Sequence, residues 1–120
     1  MRKARRQSPE GLLKHNLDMC SRHGDLLEAL RLYDEARRDG VNLALQHYNV
    51  LLYLCALDGE RGSNLQRGFD IFQSMVMDKV VPNEATFTSA ARIAAAKEDL
   101  DMAFDLIKQM KGFGIVPKLR

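Results

Sequence analysis

The 120-residue sequence predicts an all-α fold, an α-solenoid of six helices paired into three hairpins. Three observations carry that expectation. The chain repeats loosely at a spacing of 35 residues: Cys20 and Gly24 recur as Cys55 and Gly59, and Leu13 and Met19 recur as Tyr48 and Leu54, then, four extra residues later, as Phe87 and Ile93. The second half of the unit repeats too, with Leu32, Ala36 and Val41 returning as Ile71, Met75 and Val80 and again as Leu106, Met110 and Ile115. Within each unit apolar residues fall three and four apart, the spacing of one helix face, and no run alternates as a strand would. In such a stack the working surface is shared among repeats, so function is sought at equivalent positions and not in one pocket.

The elements follow in order. Ser8 can cap the first helix, with Pro9 at the first helical position, where its missing N–H costs nothing, and Leu13, Leu17 and Cys20 on one face. That helix ends near His23-Gly24. Asp25 followed by Glu28 has the form of a capping box and opens the second helix, with Leu27, Leu30, Leu32 and Tyr33 packing inward and Gly40 as its stop. The third helix spans about 44–57 and carries Tyr48, Leu51, Leu52 and Cys55. The four extra residues fall in the stretch Gly-Glu-Arg-Gly-Ser at 59–63, which places the insertion in a surface turn. Ser63 with Gln66 restarts the fourth helix, which ends before Pro82. Asn83 caps the alanine-rich fifth helix, and Asp99 opens the sixth, which stops around Gly112 and Gly114. The exits Gly40-Val41, Lys79-Val80 and Gly114-Ile115, with Pro82 and Pro117 at matching later steps, punctuate the units. The resulting organisation is a basic tail at 1–7 and a repeat domain at 8–120, with repeats at about 10–44, 45–83 and 84–118. No polar capping helix follows the third repeat, so an apolar end face and a parent longer than this chain are expected.

Composition narrows the function classes. No apolar run approaches the ~18 residues of a membrane span, so no membrane partner is expected. The net charge of +2 hides an asymmetry: without the basic residues near the two ends the body holds 12 basic against 16 acidic residues. An anionic partner must therefore be met by the termini or by a local stripe. Cys20 and Cys55 lack metal-ligand spacing and are expected as buried thiols in a reducing compartment. His15, His23 and His47 form no catalytic constellation, and no small-molecule substrate or cofactor is expected within this chain.

The type of helical repeat decides the ligand class. The 34-residue tetratricopeptide pattern of Trp, Leu-Gly and Tyr is absent. Instead His-Tyr-Asn-Val-Leu-Leu (47–52), Gly-Phe-Asp-Ile-Phe-Gln-Ser-Met (68–75) and Val-Val-Pro-Asn (80–83) resemble the pentatricopeptide repeat, a single-stranded RNA-binding family. Longer blocks at 3–15, 28–38, 79–88 and 102–111 resemble the N-terminal repeats of plant proteinaceous RNase P. The resemblance implies that precursor tRNA is the partner, gripped at its elbow. A separate Mg²⁺-dependent metallonuclease domain would remove the 5′ leader. It also implies mitochondria or plastids as the compartment, with the nucleus as the alternative, and a monomer is favoured.

Carried over residue by residue, the resemblance implies a map of contacts. The fifth motif position falls on Lys14, Asn49 and Thr88, and the last on Ala44, Asn83 and Lys118. Asn49 with Asn83 matches a pair favouring a pyrimidine, cytosine especially; Thr88 matches a purine preference, with Lys118 in place of the usual Asp or Asn. Lys14 with Ala44 matches no reading pair, and a phosphate contact is expected. One turn farther along the same helices lie Asp18, Tyr53 and Arg92, Tyr53 placed to stack or hydrogen-bond near the base and Arg92 to reach a phosphate. Lys118 and Arg120 fall at the edge of the inner face. Gly11, Gln46 and Ala85 replace the aliphatic residues that usually sandwich the base, which suits a ligand held by its folded shape. The alternative function is a helical-repeat scaffold that binds a protein or peptide in its groove.

Overall fold

The structure, a computed structural model, describes residues 8–58 and 64–115. Among these it has six helices and no strand: α1 (Pro9–His23), α2 (Leu26–Arg38), α3 (Leu45–Leu57), α4 (Leu65–Met77), α5 (Glu84–Lys97) and α6 (Leu100–Gly112). The basic tail, the 59–63 insertion with its Ser63 cap, Pro117, Lys118 and Arg120 lie outside the described residues.

The helix starts follow their capping side chains. Ser8 Oγ accepts the Gly11 N–H at 3.0 Å, Asp25 that of Glu28 at 3.1 Å, Asn83 that of Thr86 at 3.1 Å and Asp99 that of Met102 at 3.0 Å. Each satisfies a donor that the helix itself leaves unpaired. Two expected details differ. Glu28 does not reach back to the Asp25 N–H, because that donor already serves the Cys20 carbonyl at 2.9 Å; its carboxylate pairs with Arg31 at 2.7 Å instead. Gln66 likewise turns away from the helix start and donates to Asp70 at 3.0 Å. Leu27, expected inside, is 72% exposed, since Leu26, Ala29, Leu30, Leu32, Tyr33 and Ala36 already fill the inward face of α2.

The unit exits share one backbone device. Gly40, Lys79 and Gly114 all adopt left-handed φ, at 72°, 63° and 74°. The next N–H then turns back onto the helix: Val41 to the Ala36 carbonyl, Val80 to Met75 and Ile115 to Met110, at 2.9, 3.1 and 2.9 Å. Lys79 does this without glycine's freedom.

The core runs the length of the stack. Tyr48, Phe72 and Phe87 are fully enclosed, with Phe72 edge-on to Phe87 across the repeat boundary at 5.8 Å and Tyr33 edge-on to Tyr48 at 6.5 Å. Cys20 and Cys55 are free buried thiols; burial raises both, Cys55 to about 12. The first helices pack on one another, α1 on α3 and α3 on α5, while α2 and α4 lodge against the first helix of the following unit. Second helices meet each other through long side chains such as Arg67, 2.8 Å from Asp34. The first helices are thus in closer mutual contact than the second helices. On α6, Leu100 and Ile107 are 72% and 37% exposed, whereas Leu65 and Phe72, at the same places in α4, are covered.

Candidate nucleic-acid interface

The two residues predicted to act together at the second repeat do meet. Asn49 projects from the first turn and a half of α3, and Asn83 is the residue that caps α5, thirty-four positions later. The Asn49 Nδ2 donates to Asn83 Oδ1 at 3.2 Å on an exposed surface. A third residue binds both. Thr86 lies fully buried below them, and its Oγ1 is 2.6 Å from Asn49 Oδ1 and 3.0 Å from Asn83 Oδ1 while accepting the Asn83 backbone N–H at 3.0 Å. Sequence reasoning passed over Thr86. The available signal was its place three residues after a capping Asn, the position whose side chain returns to the cap.

The same position in the second repeat is His47, buried at 4% exposure. Its Nδ1 accepts the Ala44 N–H at 2.8 Å, and its Nε2 donates to the Glu10 carbonyl of α1 at 2.8 Å. The third residue of each following first helix thus caps its own helix and reaches back to the previous one. In the second repeat it holds backbone; in the third it holds Asn49.

The remaining expected contacts are distributed along the same layer. Tyr53, one turn beyond Asn49 on α3, is 42% exposed and free of the core. Arg92 is exposed on α5 with no ion pair among the described residues. Thr88 is exposed and donates its hydroxyl proton to the Glu84 carbonyl at 2.9 Å, leaving its lone pairs outward. Lys14 is not a free cation: its Nζ lies 2.7 Å from Asp18 Oδ2, so the phosphate contact expected of it would compete with a half-exposed ion pair one turn along α1.

A second polar cluster braces the junctions between units, with Tyr48 in the first turn of α3 and Arg37 and Asp78 at the C-terminal ends of α2 and α4. The buried Tyr48 hydroxyl donates to Asp78 at 2.8 Å, and Arg37 donates to the same carboxylate oxygen at 2.5 Å. The Tyr48 hydrogen bond and then Arg37 hold the Asp78 carboxyl below its ordinary range, while burial pushes the Tyr48 phenol up. No group of three or more metal-ligating side chains occurs among the described residues, and no described helix is long and apolar enough to cross a membrane.

Comparison with known proteins gives a consistent result. The family described as "Pentacotripeptide-repeat region of PRORP" matches residues 1–120. Proteinaceous RNase P 1, chloroplastic/mitochondrial, of Arabidopsis thaliana is 64% identical over 124 residues, covering 99% of this chain and 22% of that protein. Proteinaceous RNase P 2 of the same plant is 43% identical over 121 residues, 95% of this chain and 23% of that protein. The crystal structure of the PPR domain of A. thaliana protein-only RNase P 1 in complex with tRNA superposes with a TM-score of 0.83 at 67% identity, covering 92% of this chain and 56% of that one. Nuclear proteinaceous RNase P 2 from A. thaliana superposes with a TM-score of 0.85 at 43% identity, covering 93% of this chain and 25% of that one. The chain spans less than a quarter of the length of these curated relatives.

Proposed function

The chain belongs to the proteinaceous RNase P family, whose pentacotripeptide-repeat region it spans, and from that membership we propose that it is the part of such an enzyme that recognises precursor tRNA. The observation that carries the proposal is the meeting of Asn49 with Asn83 across a repeat boundary, an exposed amide pair on the first-helix side of the stack. Together the two amides carry N–H groups and an oxygen that can hydrogen-bond a base edge. The solved neighbour held in complex with tRNA supports the same ligand class.

In this reading Asn49 and Asn83 contact one exposed base and Thr88 another, with Tyr53 beside the first. Arg92 and Lys14, with Lys118 and Arg120, meet phosphates and orient the tRNA without reading sequence. The small or polar Gly11, Gln46 and Ala85 clamp a base weakly, so the tRNA is held by its folded shape. Cleavage of the 5′ leader, with Mg²⁺, would belong to the remainder of the parent enzyme, for which this region sets the position of the substrate. Mitochondria and plastids are the compartments proposed, by likeness to the 64% identical relative; the nuclear relative is more distant.

Filter binding of precursor tRNA at one stated moderate salt tests the reading, because phosphate contacts make affinity fall as salt rises. Asn49→Ala is expected to weaken binding about 5- to 150-fold, the range of one good bidentate base contact, and Thr88→Ala by less. Thr86 keeps the Asn83 Oδ1 as an acceptor in Asn49→Ala, so the fold survives. Unchanged affinity in both variants, or equal binding of an unstructured RNA or an acidic peptide, would overturn the assignment.

A further inference from the structure

The orientation of the Asn49 amide is not free, and a buried residue sets it. Asn83 Oδ1 must face the Thr86 backbone N–H, 3.1 Å away, because a backbone donor cannot turn into an acceptor. That leaves the Asn83 Nδ2 pointing outward. Asn49 then faces Asn83 Oδ1 on one side and the Thr86 hydroxyl on the other, at 3.2 and 2.6 Å. Turning the Asn49 amide over would set its oxygen about where its nitrogen now stands, 3.2 Å from the Asn83 oxygen, two acceptors with no proton between them. Thr86 Oγ1 has a single proton to give. Asn83 Oδ1 already receives two N–H groups, so the proton goes to Asn49 Oδ1, the nearer acceptor.

From this we infer that Thr86 is a positioning residue that locks the Asn49–Asn83 pair with its N–H groups outward, so that the pair selects a base edge presenting adjacent acceptors. The count of remaining groups gives the selectivity. Asn83 offers both Nδ2 protons and Asn49 one, while a single lone pair remains, on Asn49 Oδ1. A cytosine presents adjacent acceptors at O2 and N3 and fits that donor-rich face; a purine edge that leads with an amino group does not. The other such link, from His47 to the Glu10 carbonyl, ends on backbone and orients no side chain of the preceding helix, so the lock is particular to the third repeat's grip on the second. Thr86 itself is fully buried and touches no ligand.

The inference rests on the proposed reading for its consequence in binding, but the lock can be tested without RNA. In the ¹⁵N-labelled 120-residue chain, the Asn49 side-chain amide should relax as a rigid group, in contrast to that of Asn42, which is exposed in the loop before α3. An Asn49 amide as mobile as that of Asn42 in the wild-type chain would overturn the lock, whatever any variant does. Thr86→Val removes the hydroxyl at nearly constant shape and should release the Asn49 amide, and Thr86→Ser should restore its order. In filter binding with precursor tRNA, Thr86→Val should weaken affinity about 3- to 10-fold, roughly the worth of one or two oriented hydrogen bonds, and Thr86→Ser should recover it. A merely structural Thr86 would lower thermal stability in Thr86→Val while leaving Asn49 order and tRNA affinity unchanged. If Asn49→Ala weakens binding and Thr86→Val does not, the positioning role fails and the base contact stands. If Asn49→Ala and Thr88→Ala are both silent, the proposed function fails, and the amide relaxation alone decides the lock.

Discussion

Gly68 is the place where a single methyl group should do the most damage. It lies in the first half of α4, between α3 and α5, and a Cβ there would stand 2.8 Å from Ile93 Cδ1, 2.9 Å from Cys55 Cβ and 3.5 Å from Cys55 Sγ. Carbon atoms at rest sit about 3.5–4.0 Å apart. Ile93 Cδ1 ends a flexible side chain and can swing aside, but Cys55 Cβ is tied to the α3 backbone, so α4 itself must retreat by roughly half an ångström or more. Such a gap forfeits a quarter to a half of each contact it opens. Overpacking of this kind costs typically 1–3 kcal/mol, while alanine in place of glycine inside a helix returns about 0.8–1.0 kcal/mol. Crowding wins, because the opposing atom cannot rotate away, and Gly68→Ala should lose up to about 2 kcal/mol net. Urea denaturation followed by circular dichroism checks this through a lower midpoint at unchanged slope. A midpoint equal to or above that of the wild-type chain would refute the reasoning. Because α4 lodges between the two helices that carry Asn49 and Thr88, the same variant should weaken tRNA binding.

Two further substitutions probe the exits and braces of the repeats. Lys79 holds φ 63° where the equivalent Gly40 and Gly114 sit at no steric cost, so Lys79→Gly should raise stability by about 0.5–1 kcal/mol, measured as an upward shift in the urea midpoint. Asp78, held below its ordinary 3.8 by the Tyr48 hydrogen bond and Arg37, contributes stability that is present above that value and lost as pH falls through the lowered one. Asp78→Asn should therefore flatten the fall of melting temperature in that acid window, at a cost near neutrality of about 0.5–1 kcal/mol for a half-exposed pair; an unchanged acid slope would count against the brace.

Much of the fold was legible because it is local. Ser8, Asp25, Asn83 and Asp99 cap helices through their own near neighbours, and the apolar spacing of Leu13, Leu17 and Cys20 follows from 3.6 residues per turn. The errors arose where a local signal met a competitor from outside its own window. Glu28 lost the Asp25 N–H to the Cys20 carbonyl, and Leu27 lost its place on the inward face to its neighbours. At the interface the register located Asn49 and Asn83 as partners, yet not Thr86 beneath them, and it set Asp18 one turn from Lys14 without pairing the two. Asp18 stood at the helical spacing of an ion pair, four residues from Lys14, a signal available and unused.

What the sequence by itself determined is the repeat: its length, the order of its helices, the family it belongs to and the positions equivalent from unit to unit. These follow from periodicity and capping, which are properties of contiguous segments. What only the tertiary structure decided is how residues from different units complete one another. Asn49, Asn83 and Thr86 are separated by up to 37 positions and form one hydrogen-bonded group; Tyr48, Arg37 and Asp78 form another; and Gly68 proves to be the contact point of three helices. The physical reason is that hydrogen-bond orientation and close packing depend on ångström-scale distances between helices, and those are set by the stacking of whole repeats and not by any one stretch of chain.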